Sequence, residues 1–201
     1  QRIKDSTRFE ANHLESGVLI NETVDGKVAF RFVPLPRLAQ ISAIFGCQLV
    51  DVDSDGFLDL YAVQNFYGPQ RESGYLDGGV SLLLLGTGTG EFRAVTPAES
   101  GLVVAGDATS LVATDLNGDA QVDFVIGKNN GVLQAYVNQN TVSGTPLRIA
   151  DYADGRIAIG AKVFLKLPNG QQRLHEVFAG QSYLSQMPQV IYGGGQIQKI
   201  E

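Results

Sequence analysis

Asp51, Asp53, Asp55 and Asp59 fall within the ten residues DVDSDGFLDL. Side-chain oxygens at positions 1, 3, 5 and 9 of a loop are the pattern that wraps a hard divalent cation, and calcium takes six to eight such oxygens at roughly 2.3–2.6 Å. The backbone carbonyl of Phe57, at position 7, would add a further ligand. Four like charges this close repel one another, so a bound cation is the expected compensation. The pattern returns 64 residues later as Asp115, Asn117, Asp119 and Asp123, with the carbonyl of Gln121 at position 7. Gly56 marks a sharp turn. The second loop has Ala120 there, a glycine two places earlier at Gly118, and one charge fewer, and is expected to bind more weakly.

Other readings of these loops fare worse. An EF-hand needs a bidentate Glu at position 12 and a helix on each side. Position 12 is Ala62 or Ile126, and the flanks CQLV and FLDLYAV are strand-like. Magnesium prefers a rigid octahedron that keeps its waters. Asp and Gly are also ordinary turn residues, so one such loop could be a metal-free turn. Two in matching register favour two calcium sites. A cage filled by protein oxygens leaves no open position for a substrate, so the calcium is expected to be structural.

The elements holding these loops read as β-strands. There are 24 Gly, 7 Pro and no Trp, and no stretch of a dozen residues keeps a helical period. PRLAQISAIFG, 36–46, comes closest but lacks a capping residue. The shift of 64, taken without a gap, lays Asp25-Gly26 on Thr89-Gly90 and GVLIN near SLLLL. The repeating unit is then strand, tight turn, strand, connection, strand, acidic loop, strand. A third partial copy follows in VDFVIG and GVLQAYVNQN, and it arrives sooner because the first unit carries the insert NFYGPQRESGYLDGG at 65–79. Four short strands per repeat suggest β-propeller blades, of which a closed ring needs typically 4 to 8. The expected fold is all-β: an incomplete set of propeller-type blades over 1–144, then a small β module over 145–201. The supply of two to three blades, and Gln1 at the start, suggest a portion of a longer or processed chain.

The pair Phe45-Gly46 followed by Asp51 through Leu60 resembles the FG-GAP/VCBS repeat family over about residues 14–140. The second repeat departs from it, with Thr109-Ser110 where Phe-Gly would stand. The resemblance implies calcium-stabilised β-propeller blades in extracellular and cell-surface proteins, and adhesion or ligand binding rather than one chemistry. Residues 158–195 resemble the ASPIC/UnbV domain in Gly160-Ala161-Lys162-Val163, Glu176-Val177, Gly180, Ser182 to Gln186 and Gly193 to Gly195. That domain usually continues to a Trp-Pro-x-Gly ending, so Glu201 is expected to be a cut within it. FG-GAP repeats followed by this domain are an arrangement of large secreted proteins. No activity can be carried over for the domain.

The remaining signals are local. In 158–195, AKVFLKL alternates, PNG is a tight turn and QRLHEVF returns. His175 beside Glu176, and His13, have no nucleophile motif nearby and read as ordinary histidines. The serines of SYLSQ lie outside a nucleophile elbow. Neither GGG at 193–195 nor GTGTGEF at 86–92 has the setting of a phosphate loop, and the latter reads as a hairpin turn. Asn21-Glu22-Thr23 matches a glycosylation sequon. Cys47 is the sole cysteine, so no intrachain disulfide forms, and it is expected to be a small core residue. The 201 residues are 44% hydrophobic with a net charge of −6 and no Lys/Arg run, which argues against a nucleic-acid partner. The longest apolar runs, such as VSLLLLG, are strand-sized and too short to span a bilayer.

The function expected is a non-enzymatic, calcium-stabilised module of a secreted or cell-surface protein, recognising a protein or glycan ligand. Open sheet edges would allow self-association. The alternative is a carbohydrate-binding or accessory domain of an extracellular polysaccharide-active protein, with Tyr67 and Tyr75 stacking on sugar rings.

Overall fold

A computed structural model describes residues 7–141, 146–148, 157–167, 169–177, 179–180, 183–185, 187–188, 190–192 and the backbone of 196–200. The strands, in chain order, are β1 (Gly17–Asn21), β2 (Phe30–Pro34), β3 (Ile44–Val50), β4 (Asp59–Gln64), β5 (Leu82–Gly86), β6 (Phe92–Val95), β7 (Ala108–Thr114), β8 (Asp123–Lys128), β9 (Gln134–Tyr136), β10 (Leu147–Arg148), β11 (Lys162–Lys166), β12 (Gln172–Glu176), β13 (Val190–Ile191) and β14 (Gln196–Ile200). Among the described residues, helix is confined to a 3-10 turn at Arg37–Gln40 and one α turn at Pro97–Ser100, each in the connection leading to an acidic hairpin. Among the described residues no helix is long and apolar enough to cross a membrane.

The strands form antiparallel sheets β1-β2, β3-β4-β5-β6, β7-β8-β9, β12-β11-β14 and β10-β13. The first three stack face to face. One face of the four-stranded sheet, carrying Leu60, Leu82 and Leu84, packs with Leu35, Ala39 and Val18 of β1. Its other face, carrying Val50, Tyr61, Val63, Leu83 and Val95, packs against Leu111, Ala113, Phe124 and Ile126 of β7 and β8. Tyr61 and Phe124 meet there with ring centroids 4.3 Å apart. The described strands make a row of stacked sheets and no closed ring. Val163, Leu165, Val177 and Ile191 build a separate small core for the C-terminal module.

The repeat governs the acidic hairpins pair for pair. Ile44 faces Gln64 and Val50 faces Asp59; Ala108 faces Lys128 and Thr114 faces Asp123, every position displaced by 64. The ladder slips at the same place in both, between Ile44 and Gly46 and between Ala108 and Ser110. The insert is equally plain. Leu60 faces Leu84 across 24 positions and Phe124 faces Tyr136 across 12, so residues 65–79 lengthen the first unit by the dozen expected.

The first hairpin breaks the ungapped shift. Val18 faces Val33 as Leu83 faces Val95, an offset of 65 before the turn and 62 after it. The turn after β1 is the longer of the two, and Asp25 (φ 51°) and Gly26 (φ 75°) supply the paired positive φ of a two-residue hairpin turn. Side chains alternate across a strand, so the single-residue difference decides which face is covered. Val18 turns inward and Leu19 is 66% exposed.

Cys47 is not in the core. Gly46, Gln48 and Val50 take the inward positions of β3, which turns Cys47 and Leu49 to the exposed face. Gly46 has its own constraint, because a Cβ there would lie 2.8 Å from Val63 Cγ2 and 3.1 Å from Leu111 Cβ. The absence of a side chain lets β7 cross β3 closely, and Gln48 Nε2 donates to Leu111 O at 3.0 Å across the same contact. The expected domain boundary at 144/145, together with Ser182, Gln186 and Gly193 to Gly195, lies outside the described residues.

Candidate metal centre

Pairing of Val50 with Asp59 closes β3 and β4 around residues 51–58. The loop is shaped by its own carboxylates. Asp51 Oδ2 accepts from Gly56 N–H at 3.0 Å, Asp53 Oδ1 from Asp55 N–H at 3.2 Å and Asp55 Oδ1 from Phe57 N–H at 2.8 Å. Asp59 Oδ2 accepts from Val52 N–H at 2.8 Å, and its Oδ1 accepts from Gly86 N–H at 2.9 Å, tying the loop to the next hairpin. Two residues reverse the chain in the left-handed region, Ser54 (φ 63°) and Gly56 (φ 96°). Carboxylate oxygens of Asp51, Asp53 and Asp59 all come within 4.8 Å of one another.

The second loop repeats these bonds one by one. Asp115 Oδ2 accepts from Ala120 N–H, Asn117 Oδ1 from Asp119 N–H, Asp119 Oδ1 from Gln121 N–H and Asp123 Oδ2 from Leu116 N–H, at 2.8–3.1 Å. Asp123 Oδ1 takes Asn138 N–H at 2.8 Å, as Asp59 takes Gly86 N–H. The left-handed positions recur at Gly118 (φ 81°) and Ala120 (φ 71°), with the glycine exchanged between them. Two further bonds draw on ligand-type groups here alone: Gly118 N–H to Asp115 Oδ1 at 2.7 Å and Asn117 Nδ2 to Asp119 Oδ2 at 2.8 Å. With an amide at Asn117, this loop brings two carboxylates to the three positions where the first brings three.

Of the ten residues picked from sequence, Asp51, Asp53 and Asp59 converge, and Asp51 and Asp59 are buried. Asp55 is exposed, stands outside that triad and caps the loop through Phe57 N–H. The Phe57 ring lies under the GTGTG turn, where a Cβ on Gly88 would come 2.4 Å from it. Burial, with the charges of Asp53 and Asp51 adding to it, pushes the Asp59 carboxyl up to about 6, against the hydrogen bonds from Gly86 and Val52. Burial and Asp53 also raise Asp55. Concentrated, partly desolvated negative charge of this kind is relieved by a cation. The donor set, all oxygen, suits calcium rather than a softer metal.

Several residues were invisible to loop-based reasoning. Arg173 of β12 donates from Nη1 to Gly56 O at 3.0 Å, and Tyr192 Oη accepts from Asp115 N–H at 3.0 Å. Both lie more than 70 positions downstream of the loops they touch, with no local signal. Asn65, by contrast, carries a signal in the repeat itself. The same shift places it on Asn129, and Asn65 N–H bonds to Ala43 O as Asn129 N–H bonds to Asp107 O. Tyr67 and Tyr75 stack on each other, with centroids 4.8 Å apart, which leaves each one outer face. β12 places His175 at a half-buried position.

Residues 152–201 match the family described as ASPIC and UnbV. The C-terminal module is therefore a domain of that family. No curated protein matches the chain.

Proposed function

We propose that the chain is a calcium-stabilised β-repeat unit of the FG-GAP/VCBS type, carrying an ASPIC/UnbV domain, in which the ion has a structural role. The observation that carries this reading is the convergence of Asp51, Asp53 and Asp59 oxygens within 4.8 Å in a loop whose fold its twin reproduces. Asp51, Asp53 and Asp59 would supply the carboxylates and Phe57 a carbonyl. The second loop, with Asp115, Asn117, Asp119, Gln121 and Asp123, is the weaker site, since its own hydrogen bonds already occupy Asp115 and Asp119. Stacked sheets are consistent with propeller blades. Such a unit would present a binding surface in a secreted or cell-surface protein, for a protein or glycan ligand, and would not itself catalyse a reaction.

Calcium titration by calorimetry tests the site assignment. Two unequal sites are expected, the tighter one lost in Asp53→Asn and the weaker one lost in Asp119→Asn. Absence of saturable binding, or loss of the weaker site in Asp53→Asn, defeats it. A carbohydrate ligand is favoured by one feature, the outer face of Tyr75, which is 66% exposed beside its stacked partner. Glycan-array binding that disappears in Tyr75→Ala would select that ligand class.

A further inference from the structure

The C-terminal module touches both acidic loops, with a different side chain at each. Along β12, Gln172, Leu174 and Glu176 are exposed while Arg173 and His175 are half-buried, so Arg173 leans toward the repeat sheets. Its Nη1 donates to Gly56 O, a carbonyl inside the loop that carries Asp51, Asp53 and Asp59. Burial lowers the guanidinium pKa and the charge of Asp51 opposes that. At the second loop the contact is neutral, from Tyr192 Oη to Asp115 N–H. Ser185 Oγ accepts Leu111 N–H at 2.9 Å, and Met187 and Tyr192 enter the core between the repeat sheets, so the module is seated on the sheets by more than Arg173.

Arg173 is not required to shape the loop. The second loop makes the same five carboxylate-to-backbone bonds, and among the described residues no cationic side chain of the module bonds to it. What Arg173 adds is charge, held permanently because a guanidinium does not deprotonate, and poorly screened because it is partly withdrawn from water.

We propose that Arg173 is a built-in counter-cation of the first acidic loop, so that docking of the C-terminal module weakens divalent-cation binding there, and cation binding loosens the docking. The two effects are equal by thermodynamic linkage. The inference rests on the cation reading of the loop. It makes the module a brake on that site, while the second loop, contacted by Tyr192, escapes it.

The test is calcium titration of the full chain and of Arg173→Gln, with Tyr192→Phe and Arg173→Lys as controls. Arg173→Gln should bind calcium at the first loop about tenfold more tightly, the size of effect expected on removing one nearby charge of the ion's own sign. Arg173→Lys and Tyr192→Phe should leave that site within about twofold of the parent chain. Calcium should also speed exchange of the Leu111 amide, which reports on the Ser185 contact, in the parent chain and not in Arg173→Gln. Equal or weaker affinity in Arg173→Gln overturns the proposal. Should the parent chain bind no calcium, the cation reading fails by itself. The counter-cation role is then decided in EDTA by an Asp51→Asn, Arg173→Gln double-mutant cycle in urea unfolding: a favourable coupling upholds it and strict additivity overturns it.

Discussion

Asp59 concentrates the chemistry of the first loop in one side chain. It is fully buried, accepts Val52 N–H and Gly86 N–H, and faces Asp51 and Asp53. A carboxyl whose pKa rises on folding, from 3.8 to about 6, favours the folded state only while protonated. In metal-free protein, stability should therefore fall as pH rises from about 4 to about 6, and calcium should reverse that slope because it selects the ionised form. Urea midpoints across this window, with EDTA and with calcium, check both signs; a metal-free midpoint that climbs over the window contradicts the account. Ala120 supplies a second prediction. Held at φ 71° where the first loop has Gly56, it is strained for an L-residue. Ala120→Gly should stabilise the chain by about 1 kcal/mol, measured as a shift in urea midpoint. The carboxylate spacing and the glycine exchange were legible because loop chemistry is local. Arg173 and Tyr192 were not, because only tertiary packing brings them to the loops.

The acidic hairpins are where the repeat is most faithful, and the reason is geometric. Each must pair with its neighbours, cross the next sheet and close the acidic loop, so register, bulge and the four bonds within the loop are all preserved at the offset of 64. The hairpin β1-β2 must only pair and cover one face, and its turn drifted in length, which is why it departs from the offset of 64. Asn65 ties the hairpin to the insert. It is buried at φ 90°, its Nδ2 donates to Gly79 O and Gly106 O, and its Oδ1 accepts from Gly79 N–H and from Ser42 Oγ. Asn65→Ala strands three backbone groups and should cost about 3 kcal/mol in denaturant unfolding. A loss under about 1 kcal/mol would show that water replaces the side chain. Gly46→Ala should cost about 1–3 kcal/mol by overpacking against Val63 and Leu111, whereas Ser110→Ala, at the matching place in the second hairpin, should cost less.

At the scale of the whole molecule, three sheets stack through two apolar layers and the ASPIC/UnbV domain is seated across the acidic hairpins. The all-β class, the repeat and the terminal domain were legible because strand alternation, turn residues and repeat spacing are written along the chain. The seating of the domain was not, nor was the exposure of Cys47, which follows from which side of β3 meets β7. Calcium would join the loops of adjacent strands and offset the buried charge, so cooperative stability is where its effect should appear. The most direct measurement is thermal unfolding of the full chain in EDTA and in saturating calcium. At a hundred times the dissociation constant, one site adds about 2.7 kcal/mol, which for a chain of this size raises the melting temperature by roughly 5–10 °C. The account predicts a rise of at least that order, smaller in Asp53→Asn, which keeps only the second site, and an unchanged melting temperature in the parent chain would contradict it.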